Sequence, residues 1–327
     1  LQGEARHGVT WHLIEGGVDA GRMLAQRMFD IAPDETALTL NTRCFAAGID
    51  SLPEVIDQCA HGLRPVAQDL TRRSLHRRDD RPTGVGRIDL AGPAAAGAAL
   101  VRALDHGDYA NPLCLAKLAL ADRVICVGTA QVVPGHAAPG TVLANGPAGL
   151  TVATGSAALL LGGLRELTGG PVAQAHLPAP GVVLPLADAA GIAALDRYMS
   201  AAIAAEPGWR QALLTLQPLM LPPLGGGLTT APLVSDVALP AGMTGDAVFA
   251  GLGRMLAWSG GQDSFDLSLA RTDAGGDLAD RVPVRFAGGA FATPLDAVRK
   301  CAPYAADLPM RLGQPMPVLP QVAVAEG

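Results

Sequence analysis

The sequence predicts an α/β segment, then an antiparallel β domain, then an α+β unit. Three observations carry that expectation. Two strand-like runs near the start lead into a long helical pattern. Between 122 and 167, short apolar runs alternate with Gly and Pro turns. Beyond 190, helical and strand patterns interleave again.

The elements follow in order. GVTWHLI, residues 8–14, alternates as a strand, with Val9 and Trp11 on one side and Thr10 and His12 on the other. EGGVDAG, residues 15–21, is a loop. MLAQRMFDI, residues 23–31, is a second strand, mainly apolar except for Gln26 and Asp30. Pro33-Asp34-Glu35-Thr36 opens a helix, with Asp34 or Thr36 as N-cap and acid near its positive end. That helix runs through LTLNTRCFAAGID and continues toward Cys59.

From Arg64 to Arg87 the character changes. Arg64, Arg72, Arg73, Arg77, Arg78, Arg81 and Arg87 crowd a stretch with few large apolar residues. It reads as a domain linker: either a solvated face, or a dock for an anionic partner such as a nucleic acid or a phosphopantetheine-bearing carrier. AAAGAALVRALDHG, residues 94–107, is a helix. DRVICVGTAQVV, PGTVLAN, GLTVATG and AALLLGGLREL are strands of a small barrel. Residues 171–190, rich in Pro and Ala, form a second linker. The last unit has helices near 191–205, 245–259 and 294–303, and strands near 230–240 and 281–287.

Composition sets further bounds. A chain of 327 residues accommodates two or three domains. With 49% hydrophobic and 17% charged residues it is not a disordered chain. A net charge of -6 excludes a generally nucleic-acid-binding surface and leaves only a local basic patch. Five scattered cysteines without a C-x-x-C pair indicate a reducing, cytoplasmic setting with neither a disulfide framework nor a structural zinc. No run of about 18 apolar residues suggests a membrane span. The seven histidines are dispersed, and no metal site is expected. Leu1 enters almost directly into a patterned strand, so the start of a domain is expected to lie upstream.

His12 and Asp19 flank the first loop. A carboxylate between Val18 and Ala20-Gly21 can be partly desolvated, which raises its pKa and makes it a better base. Gly16, Gly17 and Gly21 would let a substrate approach the backbone. The alternative is a turn aspartate beside an ordinary strand histidine.

The segment G-V-T-W-H…V-D-A-G-R-M-L resembles the formyltransferase family, which includes the methionyl-tRNA, glycinamide ribonucleotide and sugar formyltransferases. The family form is G-x-T-x-H, seven residues from His to Asp, then D-x-G. It maps onto Thr10, His12, Asp19 and Gly21. The resemblance implies attack of an amine on the formyl group of 10-formyltetrahydrofolate. Asp19 would position a water or relay protons, His12 would support it, and Thr10, Gly17 and Gly21 would line the adjacent loop. The family's Asn and His partners lie in an upstream N-x-H segment that this sequence does not contain.

GRIDLAG, VRALDHGDYANPL, APGTVLA and GLTVATGSAALLLGGL, in that order, resemble the family's carboxy-terminal OB-like barrel. WRQALLTLQPLMLP, VFAGLGRMLAWSGGQDSFDLSLA, DLADRVPVRF and LDAVRKCAPYAADLP resemble the second half of a condensation domain from nonribosomal peptide synthetases. No H-H-x-x-x-D-G segment accompanies them.

The resulting division has five parts. Residues 1–63 end a Rossmann-like formyltransferase domain. Residues 64–87 form the basic linker and 88–172 the OB-like domain. Residues 173–206 supply a linker and helix, and 207–327 a condensation-like half domain.

The resemblance implies N-formylation of a small amine, or of an aminoacyl group on a carrier, beside adenylation and carrier domains. The alternatives are a non-catalytic scaffold and a methionyl-tRNA formyltransferase with an unusual tail, for which tRNA is the partner.

Overall fold

In a computed structural model, which describes residues 3–221, 242–243, 245–271, 276–287, 302–313, 317, 319 and 321–322, two antiparallel strands open the chain. β1 (Arg6–His12) pairs with β2 (Met23–Asp30) from Arg6↔Asp30 to Trp11↔Ala25. A register shift between Trp11 and His12 ends regular pairing, so β1 stops at His12 instead of reaching Ile14.

α1 (Ala37–His61) packs against this ribbon. Thr36 is its N-cap: its hydroxyl accepts from the Thr39 N–H, and the Thr39 hydroxyl accepts from the Thr36 N–H. The first turn contains no acid, because Glu35 lies just before the cap. The helix passes Pro53 and ends at Gly62, whose φ of 116° suits only glycine.

The inner face of α1 is polar. Ser51 and Gln58 are buried; Ser51 Oγ accepts from the Trp11 indole at 2.9 Å, and Gln58 Nε2 donates to the Leu24 carbonyl at 2.8 Å. An apolar strip beside them stays exposed: Phe45 is 66% exposed and Ile49 69%, with Leu52 and Ile56 on the same strip.

The chain divides into two compact units, Leu1–Arg197 with Arg311–Gly313, and Tyr198–Met310 with Gln314–Gly327. In the first, α2 (Ala94–Ala103) is shorter than its pattern, because Asp105 turns the chain by accepting from the Gly107 N–H. Gly97 lets α2 approach closely; a Cβ there would press on Leu159 and Ile88.

The β domain differs from the expected barrel. β3 (Lys117–Ala119), β4 (Val124–Cys126) and β9 (Arg165–Glu166) form one sheet in the order β3-β4-β9. β5 (Thr129–Val133), β6 (Val142–Gly146), β7 (Gly149–Ala153) and β8 (Ala158–Gly162) form another in the order β5-β8-β7-β6. Among the described residues no ladder closes the two into a barrel.

The physical reason lies at two glycines. The chain leaves one sheet and enters the other at Gly128 and again at Gly163, whose φ is 62°. Their backbones touch, and the Gly128 N–H donates to the Gly162 carbonyl at 3.0 Å. Strands that bend between sheets make corners there.

The core between α2 and these sheets holds Val101, Leu118, Ile125, Leu150, Val152, Leu159 and Leu161, all buried. Lys117 is also fully buried, its ammonium donating to the Val85 carbonyl at 3.0 Å.

α3 (Ala189–Leu214) extends beyond the expected helix and carries Pro207 within it. In the second unit, α4 (Gly245–Gly260) leads into β10 (Ser264–Ala270). β10 pairs antiparallel with β11 (Arg281–Ala287) and parallel with β12 (Gln321–Val322). Phe265, Leu267 and Leu269 alternate into the core, where Phe249 and Phe286 also lie buried. The Asp266 carboxylate is buried between them in sequence; it accepts from Arg285 at 2.7 Å and from the Gln217 N–H at 2.6 Å. The strands expected near 230–240 and the helix expected near 294–303, up to residue 301, lie outside the described residues. Among the described residues no helix is long and apolar enough to cross a membrane.

Candidate functional site

The loop joining β1 to β2 is closed at its neck before it forms any site. The Leu13 N–H donates to the Arg22 carbonyl at 2.9 Å. The Glu15 carboxylate takes Arg22 in a two-pronged contact at 2.8 and 3.1 Å. The hydrogen bond from Arg22 holds Glu15 below the usual carboxylate range, and its partner's guanidinium is raised in turn.

Gly21 is buried where the loop folds back across Leu13. A Cβ there would collide with the Leu13 carbonyl and press on His12 Nδ1. Gly16 adopts φ 66°, and nothing lies near it or Gly17.

Asp19 sits at the far bend in the left-handed region, with φ 55°. That conformation is uncommon for a residue with a side chain, though Asp tolerates it better than most. Its carboxylate Oδ1 lies 3.5 Å from His12 Nε2. The other ring nitrogen, Nδ1, is 2.9 Å from the Leu13 carbonyl. A carbonyl only accepts, so Nδ1 carries the proton. Nε2 then faces Asp19 as a donor when the ring is protonated and as a bare lone pair when it is neutral. The pair can therefore hold a proton between an imidazole and a carboxylate.

The expected desolvation of Asp19 is not found. Its side chain is 76% exposed, because the small residues around the bend leave nothing to cover it. Thr10 lies on the same strand as His12, and its hydroxyl accepts from Gln26 at 2.9 Å. Gly17 leaves the backbone open to approach.

Two residues of this neighbourhood carry no local sequence mark. Gln68 and Arg73, in the stretch read as a linker, both hydrogen-bond to the loop backbone. Only the fold brings them there.

On the other side of the ribbon is an apolar groove of about 390 Å³ between β1 and α1. Val9, Trp11, Cys44, Phe45, Ile49 and Leu52 line it, and Thr10 reaches its edge. Burial pushes the Cys44 thiol up, which disfavours the reactive thiolate. Among the described residues no cluster of His, Cys, Asp or Glu could hold a metal ion.

This segment matches a known family. Residues 1–56, which contain β1, the loop, β2 and most of α1, match the family model described as formyl transferase.

Particular relatives follow from the longer alignments. The methionyl-tRNA formyltransferase of Myxococcus xanthus (strain DK1622) is 33% identical over 185 residues, covering 55% of this chain and 57% of the relative. That of Roseiflexus castenholzii (strain DSM 13941 / HLO8) is 34% identical over 162 residues, covering 49% of this chain and 50% of the relative. The chain thus spans about half the length of the curated relatives it matches.

Among solved structures, HypX from Aquifex aeolicus in complex with tetrahydrofolic acid aligns with TM-score 0.39 and 19% identity, over 50% of this chain and 28% of that one. The N-formyltransferase from Helicobacter canadensis, in complex with folinic acid and dTDP-3-aminofucose, aligns with TM-score 0.38 and 14% identity, over 50% of this chain and 57% of that one.

Proposed function

We propose that this chain supplies the proton-handling carboxylate of a folate-dependent N-formyltransferase. The observation that carries the reading is the formyl transferase match over residues 1–56, the stretch that folds into the His12–Asp19 bend. 10-Formyltetrahydrofolate would supply the formyl carbon when bound beside the open backbone at Gly17. As the amine nitrogen bonds to that carbon and the carbon's bond to N10 of the folate breaks, Asp19 would relay the proton that the amine loses to the departing tetrahydrofolate nitrogen, directly or through an ordered water. His12, fixed by Leu13, would orient Asp19 and buffer the charge. Thr10 and Gly21 would shape the loop. The Asn and His donors for the oxyanion would come from polypeptide outside this sequence.

The acceptor in this reading is an aminoacyl amine held on a larger molecule in the cytoplasm. We favour a carrier domain of a peptide synthetase, beside adenylation domains. The order of motifs supports that choice, including a condensation-like tail in which α4 ends at Gly260 and G-Q-D-S-F-D enters β10. The OB-like reading of 88–172 belongs to the same proposal, with its two sheets joined at the glycine corners. Methionyl-tRNA is the acceptor named for the relatives, and it is the competing substrate in the test.

The test is formyl transfer from 10-formyltetrahydrofolate by the full-length protein that carries this chain. It is offered carrier-bound aminoacyl groups and, separately, methionyl-tRNA. Asp19→Asn is expected to lower kcat by about 10²- to 10⁴-fold with the fold retained. An unchanged rate removes Asp19 from the chemistry.

A second reading has an observation of its own. The exposed apolar strip Phe45–Ile49–Leu52–Ile56 would suit a non-catalytic docking module. In that case Asp19→Asn changes nothing, while Ile49→Glu abolishes assembly with the neighbouring domains.

A further inference from the structure

The bend that carries Asp19 does not hold itself. Within the loop, the tip is closed by the Ala20 N–H donating to the Gly17 carbonyl at 3.3 Å. The rest of the restraint comes from residues 66–73, about fifty positions away in the sequence.

That segment is first anchored to β2. The Met23 N–H donates to the Val66 carbonyl at 2.7 Å, and the Val66 N–H returns the bond to the Met23 carbonyl at 2.8 Å. This reciprocal pair sets the height at which the following residues cross the loop. The Gln68 side-chain amide then donates to the Asp19 carbonyl at 3.1 Å and also to the Gly21 carbonyl. Arg73 Nη2 donates to the Val18 carbonyl at 3.0 Å.

The geometry of these bonds is specific. The two N–H groups of one amide bridge carbonyls two residues apart, so the Asp19–Ala20 and Gly21–Arg22 peptide planes, on either side of the Ala20–Gly21 step, are fixed. Fixing the Asp19 carbonyl fixes that residue's ψ, while its φ of 55° already departs from what a side-chain-bearing residue prefers. Left alone, such a bend would relax toward ordinary backbone and swing the exposed carboxylate away from His12. Gly21 contributes only the space for the crossing, because its Cβ-free backbone lies against Leu13.

We infer that Gln68 is a positioning residue for Asp19, and that residues 66–73 form a strap that keeps the Asp19 carboxylate beside His12. This rests on the proposed role of Asp19 in formyl transfer, and two independent readouts separate the two claims.

Gln68→Glu keeps the size of the side chain and replaces its donor by an acceptor. Gln68→Ala removes the group, and Gln68→Lys restores a donor. In the full-length protein, Gln68→Glu and Gln68→Ala are expected to lower kcat by about tenfold to a hundredfold, with KM for donor and acceptor unchanged. Gln68→Lys is expected to recover most of the rate.

The second readout needs no turnover. In this chain, the NMR cross-relaxation between the His12 ring and the Asp19 methylene should vanish in Gln68→Ala and Gln68→Glu and return in Gln68→Lys, with α1 resonances unmoved. Persistence of that contact in Gln68→Ala overturns the strap, whatever the activity does. Loss of the contact in a protein that formylates no amine upholds the strap and removes the formyl-transfer reading.

Discussion

Glu35 shows how one side chain ties a helix start to pH. The hydrogen bond from the Thr39 hydroxyl, more than any other contact, holds its carboxyl below the usual glutamate range; burial opposes this, and Arg43 and the Ala32 N–H add to the lowering. Arg43 bonds the same oxygen and also stacks over the Phe29 ring, 4.5 Å from its centroid. A carboxyl lowered on folding contributes stability that is present above its unfolded value and lost as pH falls through its folded value. Glu35→Gln should therefore lower stability at neutral pH and flatten the acid limb of the stability curve, so that variant and parent converge below the ordinary glutamate range. Urea titrations at several pH values between the two limits would check this.

At this scale the sequence narrowed the cap to Asp34 or Thr36, and the fold selects Thr36. The reciprocal bonds between Thr36 and Thr39 settle that choice. Asp19 was legible as a candidate through the resemblance of its segment to the formyltransferase family, but its exposure was not. Exposure depends on what packs over the bend, and no property of V-D-A-G encodes that. Gln68 was invisible for the same reason: its partners are decided by where the strap crosses.

At the scale of elements, the fully buried residues of α1 against the β1–β2 ribbon are polar. The usual amphipathic helix turns its apolar stripe to its neighbour. Here the buried contacts with the ribbon run through Ser51 and Gln58, and the apolar residues Phe45, Ile49 and Leu52 border the open groove beside β1. Ser51→Ala would leave the Trp11 indole N–H without its acceptor in a part-buried position, at a cost of about 1–3 kcal/mol. The check is a matched loss of stability and a shift of the Trp11 indole resonance, with Trp209 and Trp258 unaffected.

β11 was expected as a strand near 281–287, whereas β10 was indicated only by the condensation-like resemblance, and its buried Asp266 interrupts the alternation of Phe265, Leu267 and Leu269. The division into two sheets was not legible. Period-two patterning says which face of a strand is buried, while sheet membership was decided by the contact between Gly128 and Gly163, which bends two strands from one sheet into the other. α2 ended early for a similar reason: Asp105 supplies a turn that competes with one more helical step.

At the scale of the whole molecule, the division near residue 197 falls inside the continuous helix α3. That point lies within the linker and helix expected over 173–206, whose Pro-rich start was marked by composition. A helix that contributes to two compact units has no such mark. The chain also replaces almost every lysine by arginine, leaving only Lys117 and Lys300.

Lys117 turns that compositional habit into a probe. Its ammonium is enclosed in the first unit and held by Val85, so an amine-selective acylating reagent has no route to it while that unit stays folded. Once the unit opens, the site becomes available, and a single mass increment on the peptide around 117 records the event. The natural sequence therefore carries its own covalent thermometer for one half of the molecule.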